Sequence, residues 1–178
     1  AQGTLAQRTL VATVMSNAGL DRAVEAAGGR VVRTQVGDKY VIEEMMRNGY
    51  NLGGEQSGHI IFRDYGTTGD GLVAALQILR IMRTTGKPLS KLTRCWERFP
   101  QVQMNIKVRE KRPFEELGEV PRLTVEAQQA LQAQGGRLLL RYSGTEPKAR
   151  LLLEGPDAAL LEHWAGRIAA AIRAQIGA

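Results

Sequence analysis

The sequence predicts two tandem domains of α/β type. The first is a mixed, mainly parallel sheet with helices, and the second a smaller α+β domain with an antiparallel sheet and helices on one face. Three observations predict this. Strand-like and helix-like runs alternate through the first half, as a parallel sheet with helical crossovers requires. Gly86-Lys87-Pro88 breaks that alternation. Beyond it the period changes. Val102, Met104, Ile106 and Val108 share one face of a strand, and Leu160, Trp164, Ile168, Ile172 and Ile176 form the apolar stripe of a helix.

Taken in order, Leu10 to Met15 reads as a buried strand. Leu20 to Ala27 reads as a short helix, with Asp21 in its first turn and Gly28-Gly29 ending it. Arg30 to Val36 is a second strand. Gly37-Asp38 opens a helix that runs to about Asn48 and closes at Gly49, and Ile60 to Phe62 is a third, short strand. Thr67-Thr68-Gly69-Asp70 caps a helix reaching about Arg83. Its residues Leu72, Val73, Leu76, Ile78, Leu79 and Ile81 surround the axis, which predicts a well-buried helix. Leu89 to Phe99 reads as a connection closed by Pro100, with a domain boundary between residues 92 and 93. In the second domain, Thr124 to Ala133 is a helix ended by Gly135-Gly136. Apolar runs at Arg137 to Leu140 and Ala149 to Leu153 flank a polar turn, and Pro156-Asp157 starts the last helix.

The 178 residues suffice for one or two cores. No apolar run is long enough to cross a bilayer, and the N-terminal residues lack a secretory pattern. A lone cysteine, Cys95, cannot form an internal disulfide and reads as a semi-buried structural thiol. Together these features point to a cytoplasmic protein without a membrane partner. The net charge of +6 raises the question of nucleic acid. The densest basic cluster (Lys107, Arg109, Lys111, Arg112) is diluted by Glu110, Glu115 and Glu116 and carries no interleaved aromatics for base stacking, so an anionic small substrate is the better match. Two histidines, His59 and His163, and no spaced Cys, His or Asp cluster give no metal site in this chain.

Two polar loops carry the chemistry. Arg141-Tyr142-Ser143-Gly144-Thr145-Glu146-Pro147, with Arg150 beyond, places hydroxyls and a glycine between two arginines. A phosphate monoester is recognised by forked cations, hydroxyl donors and unshielded backbone N–H groups. Gly53-Gly54-Glu55-Gln56-Ser57-Gly58-His59 presents a carboxylate, an amide, a hydroxyl and an imidazole on a glycine-rich turn, which suits sugar hydroxyls and proton transfer. Each loop alone is equally compatible with an ordinary solvated turn.

The spellings of both loops, in this order, together with Val36-Gly37-Asp38-Lys39-Tyr40 and Thr67-Thr68-Gly69-Asp70-Gly71, resemble the α-D-phosphohexomutase superfamily over nearly the whole chain. The first loop has the form usual for its glucosamine-directed members, the phosphoglucosamine mutases. The resemblance implies the family's third domain (most of it, residues 1–92) and fourth domain (residues 93–178). It implies interconversion of glucosamine 6-phosphate and glucosamine 1-phosphate by phosphoryl transfer through glucosamine 1,6-bisphosphate. The partners it implies are a phosphorylated amino sugar and the N-terminal domains of a parent protein. Those domains would supply a phosphorylated serine and the ligands of Mg²⁺, since nothing here resembles the serine loop or the Asp-Gly-Asp metal loop. The chain alone is then expected to be catalytically silent.

By the same resemblance, Arg141, Ser143, Gly144, Thr145 and Arg150 bind phosphate. Gly54, Glu55, Ser57 and Lys39 contact substrate, and His59 is a general acid or base. His163 is given no role. Glucose- or mannose-directed mutases of the same superfamily, and a phosphorylated-ligand binding module without chemistry, are the alternatives.

Overall fold

Two runs rich in β-branched residues, Thr9–Thr13 and Arg30–Thr34, form the parallel strand pair that begins the first of two units. A computed structural model describes residues 4–178, and the chain divides into Ala1–Arg98 and Phe99–Ala178. The first unit contains β1 (Thr9–Thr13), α1 (Gly19–Ala26), β2 (Arg30–Thr34), α2 (Asp38–Asn48), β3 (Leu52–Gly54), β4 (Ile60–Phe62), α3 (Gly71–Thr85) and a single turn, α4 (Leu89–Leu92). Its sheet has the order β2-β1-β3-β4, with β1 parallel to both neighbours and β4 antiparallel to β3. The connections from β1 to β2 and from β2 to β3 travel in opposite directions across the sheet. Right-handed crossovers therefore put α1 and α2 on opposite faces. Val41 and Met45 of α2 pack on Val11, Tyr50 and Ile61 to make the core of that face.

Leu52–Gly54 is a strand that the sequence does not announce, and its two glycines are the first two residues of the polar loop. Gly53 is fixed there by packing. A Cβ at this position would stand 2.6 Å from Met45 Sδ, 2.7 Å from Val41 Cγ1 and 3.1 Å from the Val11 carbonyl oxygen. Helix α2 thus lies directly on β3.

Helix α3 departs from expectation. Asp70 caps it as predicted, accepting from the N–H groups of Leu72 (2.8 Å) and Val73 (3.0 Å), and Gly86 closes it in a left-handed conformation. None of its residues is buried, however, and Leu72 is 72% exposed. The composition reports that the helix is made to be covered, but the cover is not supplied by the described residues. Cys95 is likewise exposed rather than semi-buried, because it lies in the irregular segment after α4, where none of the described residues covers it.

The second unit contains β5 (Gln101–Lys107), α5 (Val120–Gln132), β6 (Arg137–Tyr142), β7 (Lys148–Glu154) and α6 (Ala158–Ile176). Helix α5 begins four residues earlier than its predicted start, because Pro121 occupies a first-turn position where its missing N–H costs nothing. The sheet is antiparallel, in the order β5-β7-β6. Ile106, Leu151 and Leu153 meet Leu123, Ala127 and Leu131 of α5 and Leu161, Ile168, Ile172 and Ile176 of α6. Full burial of each such Leu or Ile is worth about 1.5–3 kcal/mol. Strand alternation sends Leu138, Leu140 and Tyr142 toward this core, and Arg137, Arg141, Lys148 and Arg150 to the face without helices.

Candidate functional site

In the first unit the direction of strand order reverses at β1. Open α/β sheets hold ligands at the carboxyl ends of strands beside such a reversal. Thr13 pairs with Thr34 and Ala12 with Gly54, so the residues after β1, β2 and β3 all emerge at that edge. Gly54 pairs with Ile60, and a Cβ there would sit 2.8 Å from the His59 carbonyl oxygen. The strand pair needs glycine at this point whether or not a ligand is present.

Glu55 follows and organises the loop. Its backbone N–H donates to the His59 carbonyl (2.9 Å), and the Gly58 N–H donates to the Glu55 carbonyl (3.2 Å). Its Oε1 accepts from the Gly37 N–H at 2.7 Å, and its Oε2 from the Ser57 hydroxyl at 3.1 Å. Gly37 directly precedes α2. Glu55 thus places negative charge at the positive end of that helix and satisfies one of its orphan donors from a distant segment. Ser57 Oγ also lies 3.0 Å from His59 Nδ1, and that nitrogen is 4.0 Å from Glu55 Oε2. Glu55, Ser57 and His59 therefore form one connected group, in which the carboxylate is mostly buried (11% exposed) and the imidazole open (57% exposed). Lys39, in the first turn of α2, is exposed, with its ammonium 3.8 Å from Glu43.

In the second unit Arg141 of β6 and Arg150 of β7 stand directly opposite each other. Like charges in that position destabilise a strand pair, so the sheet holds them at a cost that an anion would offset. The turn between them is closed by the Ser143 N–H on the Lys148 carbonyl (2.9 Å) and by the Glu146 N–H on Ser143 Oγ (3.3 Å). Ser143 is buried, while Gly144 and Thr145 are exposed. The Glu146 carboxylate accepts from Lys148 Nζ at 2.5 Å and from Arg150 Nη2 at 2.8 Å. Hydrogen bonding to Lys148, and then to Arg150, holds its pKa below the ordinary glutamate value. Arg150 Nε is buried and has no hydrogen-bond partner among the described residues.

A third segment supports this turn. Lys111 Nζ donates to the Ser143 carbonyl at 2.6 Å. The Tyr142 hydroxyl donates to the Arg112 carbonyl at 2.6 Å, and Phe114 stacks on the Tyr142 ring with centroids 4.2 Å apart. Burial pushes the Tyr142 phenol above its usual pKa.

The structure thus brings Gly54, Glu55, Ser57 and His59 together in one unit, with Lys39 on the helix that Glu55 caps. It brings Arg141, Ser143, Gly144, Thr145 and Arg150 together in the other. Sequence reasoning did not find Gly37 as the partner of Glu55, and it gave no role to Glu146, although Glu146 lies in the second loop, or to Lys148 and Lys111, which contact that loop. Glu146 and Lys148 lie inside or beside the motif, whereas Lys111 stands out in sequence only as one member of the basic cluster from Lys107 to Arg112. His163 meets the ring of Trp164 edge-on, with centroids 5.3 Å apart. Among the described residues no group of three or more His, Cys, Asp or Glu side chains is placed to hold a metal, and no helix is long and apolar enough to cross a membrane.

Comparison with known proteins agrees with this division. The family profile described as phosphoglucomutase/phosphomannomutase, alpha/beta/alpha domain III, matches residues 1–99, and the C-terminal domain of the same family matches residues 104–171. The chain is 55% identical over 176 residues to a phosphoglucosamine mutase of Anaeromyxobacter sp. (strain Fw109-5), and 56% identical over 177 residues to one of Anaeromyxobacter dehalogenans (strain 2CP-C). In each case 99% of this chain is covered, but only 37% and 38% of the relative. It therefore spans somewhat over a third of the length of these curated relatives. Among solved structures, an N-acetylphosphoglucosamine mutase of Aspergillus fumigatus superposes with a TM-score of 0.74 at 20% identity, over 94% of this chain and 38% of that one. An N-acetylglucosamine-phosphate mutase in its substrate complex gives 0.67 at 20% identity, over 91% and 38%. At such identity these two show a shared fold. With both units matched in order by profiles of one family, the chain belongs to the phosphoglucomutase/phosphomannomutase family.

Proposed function

We propose that this chain supplies sugar and phosphate recognition to a phosphoglucosamine mutase, which interconverts glucosamine 6-phosphate and glucosamine 1-phosphate through a bisphosphate intermediate. The observation that carries the reading is the Arg141–Arg150 pair. Two cations are held face to face beside a turn rich in hydroxyl and N–H donors, and one buried guanidinium N–H is left without a partner. Relatives that are 55–56% identical carry the name phosphoglucosamine mutase, which supports glucosamine over other hexoses.

A bisphosphate that turns over within a site always has one phosphate away from the chemistry, and that group needs a reusable grip. Arg141 and Arg150 provide it with forked, permanently charged donors, joined by the hydroxyls of Ser143 and Thr145 and the Gly144 N–H. Glu55 already accepts two hydrogen bonds, yet a carboxylate offers about four acceptor sites, so it can also accept from sugar hydroxyls. Ser57 adds a hydroxyl, Gly54 allows close approach, and Lys39 adds positive charge. His59 has Nδ1 engaged by Ser57, which makes Nε2 the nitrogen that exchanges a proton with the reacting hydroxyl.

Mg²⁺ and a phosphoserine donor would neutralise and deliver the transferred group in the longer protein. A solved N-acetylphosphoglucosamine mutase of A. fumigatus was crystallised with GlcNAc-6P and magnesium, and another with glucose 1,6-bisphosphate. Among the described residues no group of three or more His, Cys, Asp or Glu side chains is placed to hold Mg²⁺, so its ligands would come from elsewhere in the longer protein. In this reading the enzyme is a cytoplasmic phosphoprotein on the amino-sugar route to peptidoglycan precursors.

The test uses the full-length protein with glucosamine 6-phosphate. Arg141→Ala removes charge-assisted hydrogen bonds and should lower kcat/KM by about 1.5–3 kcal/mol of transition-state stabilisation, roughly ten- to a hundredfold. An unchanged kcat/KM would exclude this loop from the site. Faster turnover of mannose 6-phosphate or glucose 6-phosphate would transfer the reading to those hexoses.

A further inference from the structure

We propose that Lys111 is a positioning residue for the phosphate loop, aiming the Gly144 N–H at the bound phosphate. The inference rests on the reading of that loop as the phosphate grip. It starts from an unusual use of a lysine. Lys111 is one of four basic residues between Lys107 and Arg112, and its ammonium is inserted at the turn, where it donates to the Ser143 carbonyl at 2.6 Å. The carbonyl of residue 143 and the N–H of residue 144 belong to one planar trans peptide and point in opposite directions. Holding the carbonyl against Lys111 therefore turns the Gly144 N–H to the other side of that peptide, away from the lysine.

Glycine at 144 makes this constraint necessary. With no Cβ, a glycine peptide flips easily, and because Gly144 is exposed the 143–144 link would otherwise sample both orientations. The remaining bonds of the turn fix other groups. The Ser143 N–H is engaged by Lys148, and Ser143 Oγ by the Glu146 N–H. Lys111 itself is held in register by its neighbours, since the Arg112 carbonyl accepts from the Tyr142 hydroxyl and Phe114 stacks on the same ring. Residues 111–114 thus form a clamp on Tyr142 and Ser143, and the lysine is its polar tip. Its charge also lies against the loop, where it favours an anion.

The experiment compares Lys111→Met, Lys111→Arg and Arg141→Ala in the full-length enzyme. The readouts are KM and kcat for glucosamine 6-phosphate, the inhibition constant of inorganic phosphate, and the melting temperature. Loss of one charge-assisted, loop-orienting contact should raise KM and the phosphate inhibition constant of Lys111→Met about tenfold, with kcat changed by less than about threefold. Lys111→Arg, which keeps the charge and donates to the same carbonyl, should recover most of that loss. A lysine that only stabilises the fold would lower the melting temperature and leave both constants within about twofold of the parent, which overturns the proposal. If Arg141→Ala also leaves KM unchanged, the phosphate-loop reading itself fails. If only Lys111→Met does, the loop stands and the lysine's role falls.

Discussion

Gly53→Ala separates two reasons for a glycine before the first loop. If the glycine exists to let a ligand approach, a methyl there should weaken binding and leave the fold intact. The structure argues for packing instead. The added carbon would lie 2.6 Å from Met45 Sδ and 2.7 Å from Val41 Cγ1, against ordinary contacts of 3.4–4 Å, and 3.1 Å from the Val11 carbonyl oxygen. Met45 and Val41 are both fully buried, so neither can swing outward, and the third neighbour is backbone. Overpacking of this kind costs about 1–3 kcal/mol. For a unit near a hundred residues that corresponds to a fall in melting temperature of about 4–8 °C per kcal/mol.

Hydrogen exchange followed residue by residue is the suitable assay, because it reads each unit by itself. The amides of Val11, Val41 and Met45 should lose about 1–3 kcal/mol of protection in the variant, while those of Leu151 and Leu153 in the second unit stay unchanged. The same displacement should loosen the Gly37 N–H bond to Glu55, two residues along the chain. If protection in α2 is preserved to within about 0.5 kcal/mol, the packing argument is wrong and ligand approach becomes the reason for the glycine.

Two further outcomes follow from side-chain environment. Glu146 should titrate below the ordinary glutamate range by NMR, and Lys148→Met should move it upward, since Lys148 is the largest cause of the depression. Because the folded-state value is lowered, the bonds from Lys148 and Arg150 persist on acidification past the usual carboxylate pKa and are lost only as the pH falls through the depressed one; a normal midpoint in the parent protein would contradict this. Leu72 and Leu79 lie one above the other on exposed α3, 72% and 57% accessible, so the 178-residue chain should bind a hydrophobic dye and self-associate. Changing both to Gln should reduce dye binding and association with little change in melting temperature, and an unaltered response would place the sticky surface elsewhere.

What the sequence made legible was whatever depends on a local period. The four-residue stripe of α6 and the alternation of β5 appear where predicted, because one buried face over seven or more residues leaves a pattern. Leu52–Gly54 left none. Three residues, two of them glycine, become a strand through pairing with β1 and β4, which lies outside any local window. The burial expected of α3 failed for a related reason. An all-round apolar helix announces that something covers it, without saying whether the covering residues are in the stretch being read. At the candidate loops, residue types were legible and partners were not. The contact of Glu55 with Gly37 spans 18 positions and that of Lys111 with Ser143 spans 32, so both are products of the fold.

The two loops share a construction that bears on how they bind. In each, a carboxylate already holds its neighbours before any ligand arrives: Glu55 fixes Ser57 and the start of α2, and Glu146 fixes Lys148 and Arg150. A free arginine or lysine would lose rotamer entropy worth up to about 2 kcal/mol on gripping a phosphate. A guanidinium tethered at Nη2 has already lost much of it, and Glu146 engages only part of the fork. The charges remain suited to an anion. Arg141, Arg150, Lys148 and Lys111 put four cations in or against the second loop, and Glu146 offsets one, so a phosphate dianion meets an excess of positive charge after the internal pairing is satisfied. Preorganisation of this kind makes binding depend on the geometry of the loop as much as on its net charge. Charge-preserving changes that misplace a donor should therefore be as damaging as charge removal, and a loop that worked by charge alone would tolerate them.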